Sequence, residues 1–169
     1  MVLAAAATGC TQTSVGQPRP VESSSPSRPR DVDLTGKDPC ALVPEADLSA
    51  FDIDKTGKPD RNKDFDSPEC YYSGNDHGYW VTLVTNNGIY VWLDGTYNAE
   101  VDEDDPVEGF AAFTVAADVP QNRCDVVVDV ADGQYLMTTV LPDLPEVAFS
   151  ESCELAHELA ESAVSGLGE

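Results

Sequence analysis

Basic side chains are scarce in this chain: nine Lys and Arg stand against 31 Asp and Glu, a formal charge of −22. Between Asp64 and Glu169 the only Lys or Arg is Arg123. Such a surface repels phosphate, so nucleic acid is excluded as a partner, and anionic headgroups would repel the folded part in the same way. It reads as a highly hydrated acidic surface. Long apolar runs are lacking too. No segment after the N-terminus approaches the roughly 20 apolar residues that span a bilayer, so any membrane link has to sit at the start. Histidine is limited to His77 and His157, and no C-x-x-C occurs, which leaves a zinc site without support. G-x-S-x-G, S-x-x-K and a phosphate-cradling Gly-rich loop are all missing. No catalytic residue, cofactor or metal ligand is therefore expected.

What the chain does have begins with "LAAAATGC". Ala7-Thr8-Gly9-Cys10 resembles the lipobox of bacterial lipoprotein signal peptides, in which the cysteine thiol is acylated and becomes the first mature residue. A signal peptide carries a basic n-region and a longer apolar stretch, so the expectation is that the true start lies upstream of Met1. Two or more acyl chains hold a protein far better than one. The Ser/Pro-rich stretch that follows Cys10 has almost nothing to bury and reads as a disordered tether. The expected organisation is a signal remnant over 1–10, a tether over 11–33 and one domain over 34–169.

With Cys10 set aside for lipidation, Cys40, Cys70, Cys124 and Cys153 remain. An even number in an exported chain argues for disulfides. Three pairings are possible. The favoured one joins Cys40 to Cys70 and Cys124 to Cys153, closing two loops of about 30 residues worth roughly 3–4 kcal/mol each on the chain-entropy model.

"DPCALVPEADLSAF" reads as two short helical pieces, with Asp38 as cap, Pro39 at the first helical position and Leu42, Leu48 and Phe51 toward the core. Residues 52–69 read as loop. "GYWVTLVTN" alternates as a strand, and "NNGIYVWL" fits either a hairpin strand or a helix crossing the sheet. "GFAAFTVAA" is a strand; "CDVVVDVADGQYLMTTVL" is a hairpin turning at Asp132-Gly133, with Val126, Val128 and Val130 on one face. "SESCELAHELAESAVSGLG" closes the chain as a helix with Leu155, Leu159, Ala163 and Leu167 near helical spacing. The fold class expected is α+β: an antiparallel sheet packed against N- and C-terminal helices, with two intradomain disulfides.

In order, the lipobox cysteine, the Ser/Pro tether, "DPCALV" with "PEADL", "ECYYS", "CDVVVDVADGQYLMTTV" and "SCELAHELAESAV" resemble the actinobacterial lipoproteins of the domain of unknown function 3558 family. The resemblance runs from about Leu34 to Leu167. It implies a surface lipoprotein with two intradomain bridges and brings no catalytic residue with it.

Three further groups invite a functional reading. His77 reads as an exposed turn residue and His157 as a helix-edge residue. The run Glu100, Asp102, Glu103, Asp104, Asp105, Glu108 reads as a solvated acidic loop, with weak cation binding as the alternative. The aromatics Tyr71, Tyr72, Tyr79, Trp80, Tyr90, Trp92 and Tyr97 read as core and one sheet face, or as the lining of a cleft. The expected function is a monomeric, non-enzymatic envelope module held by lipid on the outer face of the cytoplasmic membrane, binding an envelope protein, glycan or lipid. A passive structural lipoprotein ranks second and a cell-wall enzyme third.

Overall fold

The computed structural model describes residues 28–117 and 122–168. The signal remnant, Cys10 and most of the tether therefore lie outside the described residues. Seven antiparallel strands form one sheet: β1 (Lys58–Asn62), β2 (Ser67–Ser73), β3 (His77–Val84), β4 (Ala99–Val107), β5 (Phe110–Ala117), β6 (Cys124–Ala131) and β7 (Gln134–Pro142). Their spatial order is β1-β2-β3-β7-β6-β5-β4, so the hairpin β6–β7 sits in the middle. Two 3₁₀ turns (Pro39–Ala41 and Leu48–Phe51) precede the sheet, a short helix α1 (Tyr90–Leu93) follows β3, and helix α2 (Phe149–Gly166) ends the domain. The α+β architecture and both bridges match the expectation. Cys40 joins Cys70 with Cα atoms 5.0 Å apart, and Cys124 joins Cys153 at 5.1 Å.

Strand periodicity divides the side chains between two faces. Val126, Val128 and Val130 of β6, Leu136 and Val140 of β7 and Tyr79, Val81 and Leu83 of β3 are buried in one cluster with α2 and the 3₁₀ turns. Helix α2 reaches this face through small residues, Ala156, Ala160 and Ala163, so its backbone comes close enough for the Thr138 hydroxyl to donate to the Ala156 carbonyl at 2.7 Å. Its last turn meets the N-terminal segment even more closely: a Cβ on Gly166 would lie 1.8 Å from the Leu42 carbonyl oxygen. Both disulfides serve this face, one holding the first 3₁₀ turn to β2 and the other holding α2 to β6.

The opposite face is covered over only part of its area. Phe65, Ile89, Val91 and Trp92 pack there on Val84, Val115, Val127, Tyr135 and Met137. "NNGIYVWL" thus resolves as a helix lying on the sheet, anchored by Val91 and Trp92 while Tyr90 and Leu93 stay exposed.

Two stretches read as loop are strands. Residues 52–69 contain β1 and the start of β2, and β1 was hidden because KPDRN buries almost nothing and takes its conformation from pairing with β2. The acidic run is not a loop but β4, the other edge strand, with Pro106 at the register shift between Asp104 and Val107. Glu108 and Gly109, both at positive φ, turn β4 into β5. Charge and proline on both edges leave neither rim open for pairing with another sheet.

The start of the domain also moves. Arg28–Asp33, read as the end of the tether, lies on the sheet: the Val32 amide donates to the Val130 carbonyl at 2.9 Å, and Val32 joins the core. Arg28 bridges Asp31, Asp129 and Asp132 at the end of the central hairpin, and Arg30 lies 5.6 Å over the Phe110 ring.

Candidate functional site

On the uncovered half of the second face, one row of residues runs across the sheet. Register pairs Tyr71 with Trp80, Trp80 with Thr139, and Thr139 with Asp125. The adjacent row pairs Glu69 with Thr82 and Thr82 with Met137. Asn62, Glu69, Trp80, Arg123, Thr139 and Leu141 line an open groove of about 200 Å³. Polar residues concentrate here because α1 and Phe65 shield only the far end of this face.

Two buried carboxylates shape the groove: Glu69 lines it, and Asp125 holds the lining residues Arg123 and Thr139 from behind. Glu69 is 7% exposed; its Oε2 accepts from the Asn62 amide at 2.9 Å and from the Thr82 hydroxyl at 2.6 Å. Its Oε1 has no donor among the described residues, and no salt bridge found among them includes Glu69. Asp125 is 2% exposed and accepts from Arg123 Nε and Nη2, at 3.0 and 2.9 Å, and from the Thr139 hydroxyl. Burial pushes the Asp125 carboxyl above its ordinary value, against the pull of Arg123 and Thr139. The lone basic residue of the acidic stretch therefore sits in this groove, with Nη1 uncommitted among the described residues.

Trp80 forms the floor. Its ring extends over Gly78, where a Cβ would lie 2.6 Å from Cη2, and it packs on Tyr71 with centroids 4.9 Å apart at 37°. A side chain at position 78 would lift the indole off the sheet.

The other sequence candidates fall elsewhere. His77 opens β3 rather than standing in an exposed turn; it is half-buried beside Tyr79, and its Nε2 has no partner among the described residues. His157 faces Asp104 at 3.3 Å across a wider cleft between α2 and β4. Burial works against the charged form of Asp104, but bonds from Thr114, the Asp105 amide and His157 hold its carboxyl below the usual range. No cluster of three or more metal-ligating side chains occurs among the described residues. The aromatics divide as core and sheet face: Tyr72 and Tyr79 lie in the core against the 3₁₀ turns, Trp92 and Tyr97 around Phe65, Trp80 in the groove and Tyr71 beside it.

Sequence reading missed Glu69, Asp125, Asn62 and Thr139. A signal for Asp125 existed, since alternation in "CDVVVDV" puts it opposite Val126 and Val128 in a strand buried on both faces.

Fold and site together define a disulfide-stapled antiparallel sheet domain, closed on one face by its terminal helix and carrying an open polar groove on the other. The chain belongs to the DUF3558 family, described as proteins of unknown function, whose sequence profile matches residues 5–165. No curated protein and no solved structure matches it. Among the described residues, no helix is long and apolar enough to cross a membrane.

Proposed function

We propose that this protein is a non-enzymatic binding module of the cell envelope, held outside the cytoplasmic membrane by a lipid on Cys10 and using the groove around Trp80 to take its ligand. The observation that carries the reading is Glu69: a buried carboxylate with one oxygen fixed by Asn62 and Thr82 and the other left for a partner. Asn62 and Thr82 fix the carboxylate in place while Oε1 faces the groove, so a ligand hydroxyl that donates there displaces water and no protein partner.

Binding is favoured over hydrolysis by the spacing of the acids. Glu69 on β2 and Asp125 on β6 stand three strand spacings apart and two residues out of register, about 16 Å between backbones. Paired-carboxylate hydrolysis of glycosidic bonds works at carboxyl separations of about 5–9.5 Å. Asp125 is also tied to Arg123 and Thr139, an arrangement that positions a guanidinium and does not free a base.

The test is cross-linking in the native envelope through a photoreactive side chain at Tyr71, beside the groove. The expected result is an adduct that Trp80→Ala abolishes; no adduct, or one indifferent to Trp80→Ala, overturns groove binding. In parallel, Cys10→Ala in the chain with its full signal should leave the detergent phase, and equal retention overturns the anchor.

A further inference from the structure

Resting on that reading, we infer that the groove's ligand is a neutral saccharide, bound through one pyranose ring. Volume bounds the ligand first. At about 200 Å³ the groove is below the roughly 300–1,000 Å³ of drug-sized sites, so the part of a ligand that it holds is the size of a single ring.

Charge narrows the class. The groove lining holds one carboxylate, Glu69, and one guanidinium, Arg123, within a chain of net charge −22, whose field disfavours anions. Against a cation stands the uncommitted Arg123 Nη1, a donor that an ammonium group, itself only a donor, cannot satisfy. What remains is an uncharged molecule that offers both donors and acceptors.

Chemistry then selects among neutral molecules. The indole of Trp80, pressed down over Gly78 and backed by Tyr71, offers a flat apolar surface whose π-face attracts C–H edges. Above one side, Glu69 Oε1 can only accept; on another, Arg123 Nη1 can only donate. A pyranose presents an apolar C–H face and, around its rim, hydroxyls that donate and accept at once. Its hydroxyl would donate to Glu69 and a ring-rim oxygen would accept from Arg123. A lipid tail has nothing to offer either group, and Asn62, Glu69, Arg123 and Thr139 make the wall too polar for it.

The experiment is an NMR titration of the full chain, with both disulfides formed, following its two tryptophan indole N–H signals. The probes are methyl β-glucopyranoside, methyl β-galactopyranoside and N-acetylglucosamine, with glucuronate and glucosamine as charged controls. The expected result is a saturable shift of the Trp80 signal by at least one neutral probe, with Trp92 unmoved, and weaker response to both charged controls. Trp80→Ala should abolish binding, read from backbone amides, and Glu69→Gln should weaken it by about ten-fold, the worth of one hydrogen bond to a charged group. Thermal melts verify that both variants fold, and Trp80→Ala decides the matter should Glu69→Gln not. No shift with any neutral probe, or a shift that survives Trp80→Ala, overturns the saccharide. If the Trp80-dependent adduct at Tyr71 persists meanwhile, only the saccharide falls; if it is absent too, the binding module falls with it.

Discussion

Arg123→Ala tests how the groove is held together. The substitution leaves Asp125, 3% exposed at its side chain, without the guanidinium that accounts for two of its hydrogen bonds. Removing one partner of a fully buried pair costs about 3–5 kcal/mol, because the other charge stays desolvated. Here Arg123 is itself 30% exposed and Thr139 still donates, so water and the hydroxyl recover part of that. The expected loss near neutral pH is about 2–3 kcal/mol. In the native chain the Asp125 carboxyl titrates above its ordinary 3.8. A group raised in this way stabilises the fold fully below the unfolded value, and the contribution fades as pH rises through the raised native value. Losing Arg123 raises it further, each added unit corresponding to about 1.4 kcal/mol. The deficit should therefore be largest near neutral pH and shrink as pH falls toward the carboxylate range. Adding Asp125→Asn removes the stranded charge and should return most of the loss, leaving about 1 kcal/mol. Urea unfolding followed by near-UV circular dichroism, at neutral and mildly acidic pH, measures all three chains. A loss in Arg123→Ala below about 0.5 kcal/mol, or one equal at both pH values, refutes the account of a buried, guanidinium-held carboxylate.

Two further outcomes concern the frame around the groove. Gly166→Ala should destabilise the fold by about 1–3 kcal/mol or more, since the new methyl would meet the Leu42 backbone rather than a side chain that can swing aside; an unchanged melting temperature would mean that the end of α2 does not seat there. Raising NaCl from low concentration to about 1 M shortens the Debye length to about 3 Å and should raise the melting temperature by screening repulsion among the carboxylates, whereas a flat profile would mean they are too far apart to matter.

Strong periodicity made the middle and end of the domain legible. The hairpin β6–β7 announced itself through Val126, Val128 and Val130 and the Asp132-Gly133 turn, and α2 through its apolar spacing. The edge strands did not, because β1 and β4 are stabilised by backbone pairing while their side chains face water; the carboxylates of β4 imitate a loop. The strap at Arg28–Asp33 was hidden for a related reason. Its hold comes from ion pairs with residues about a hundred positions later, which no local pattern contains. The groove needs β1, β2, β3, β7 and the entry to β6 together, so its parts look ordinary one at a time. Arg123 was visible as the lone cation of an acidic stretch, but only the register of Trp80, Thr139 and Asp125 gives that isolation a use.

That strap also decides where a mechanical load would enter. A pull on the chain ahead of Arg28 is transmitted through Arg28 and Val32 to the β6–β7 hairpin. This hairpin is flanked by β5 and β3 and riveted to α2 by Cys124–Cys153. Tension thus arrives at the keel of the sheet, where several ladders share it. Had the chain entered along β1 or β4, the same tension would have peeled the sheet from its rim, one hydrogen bond at a time.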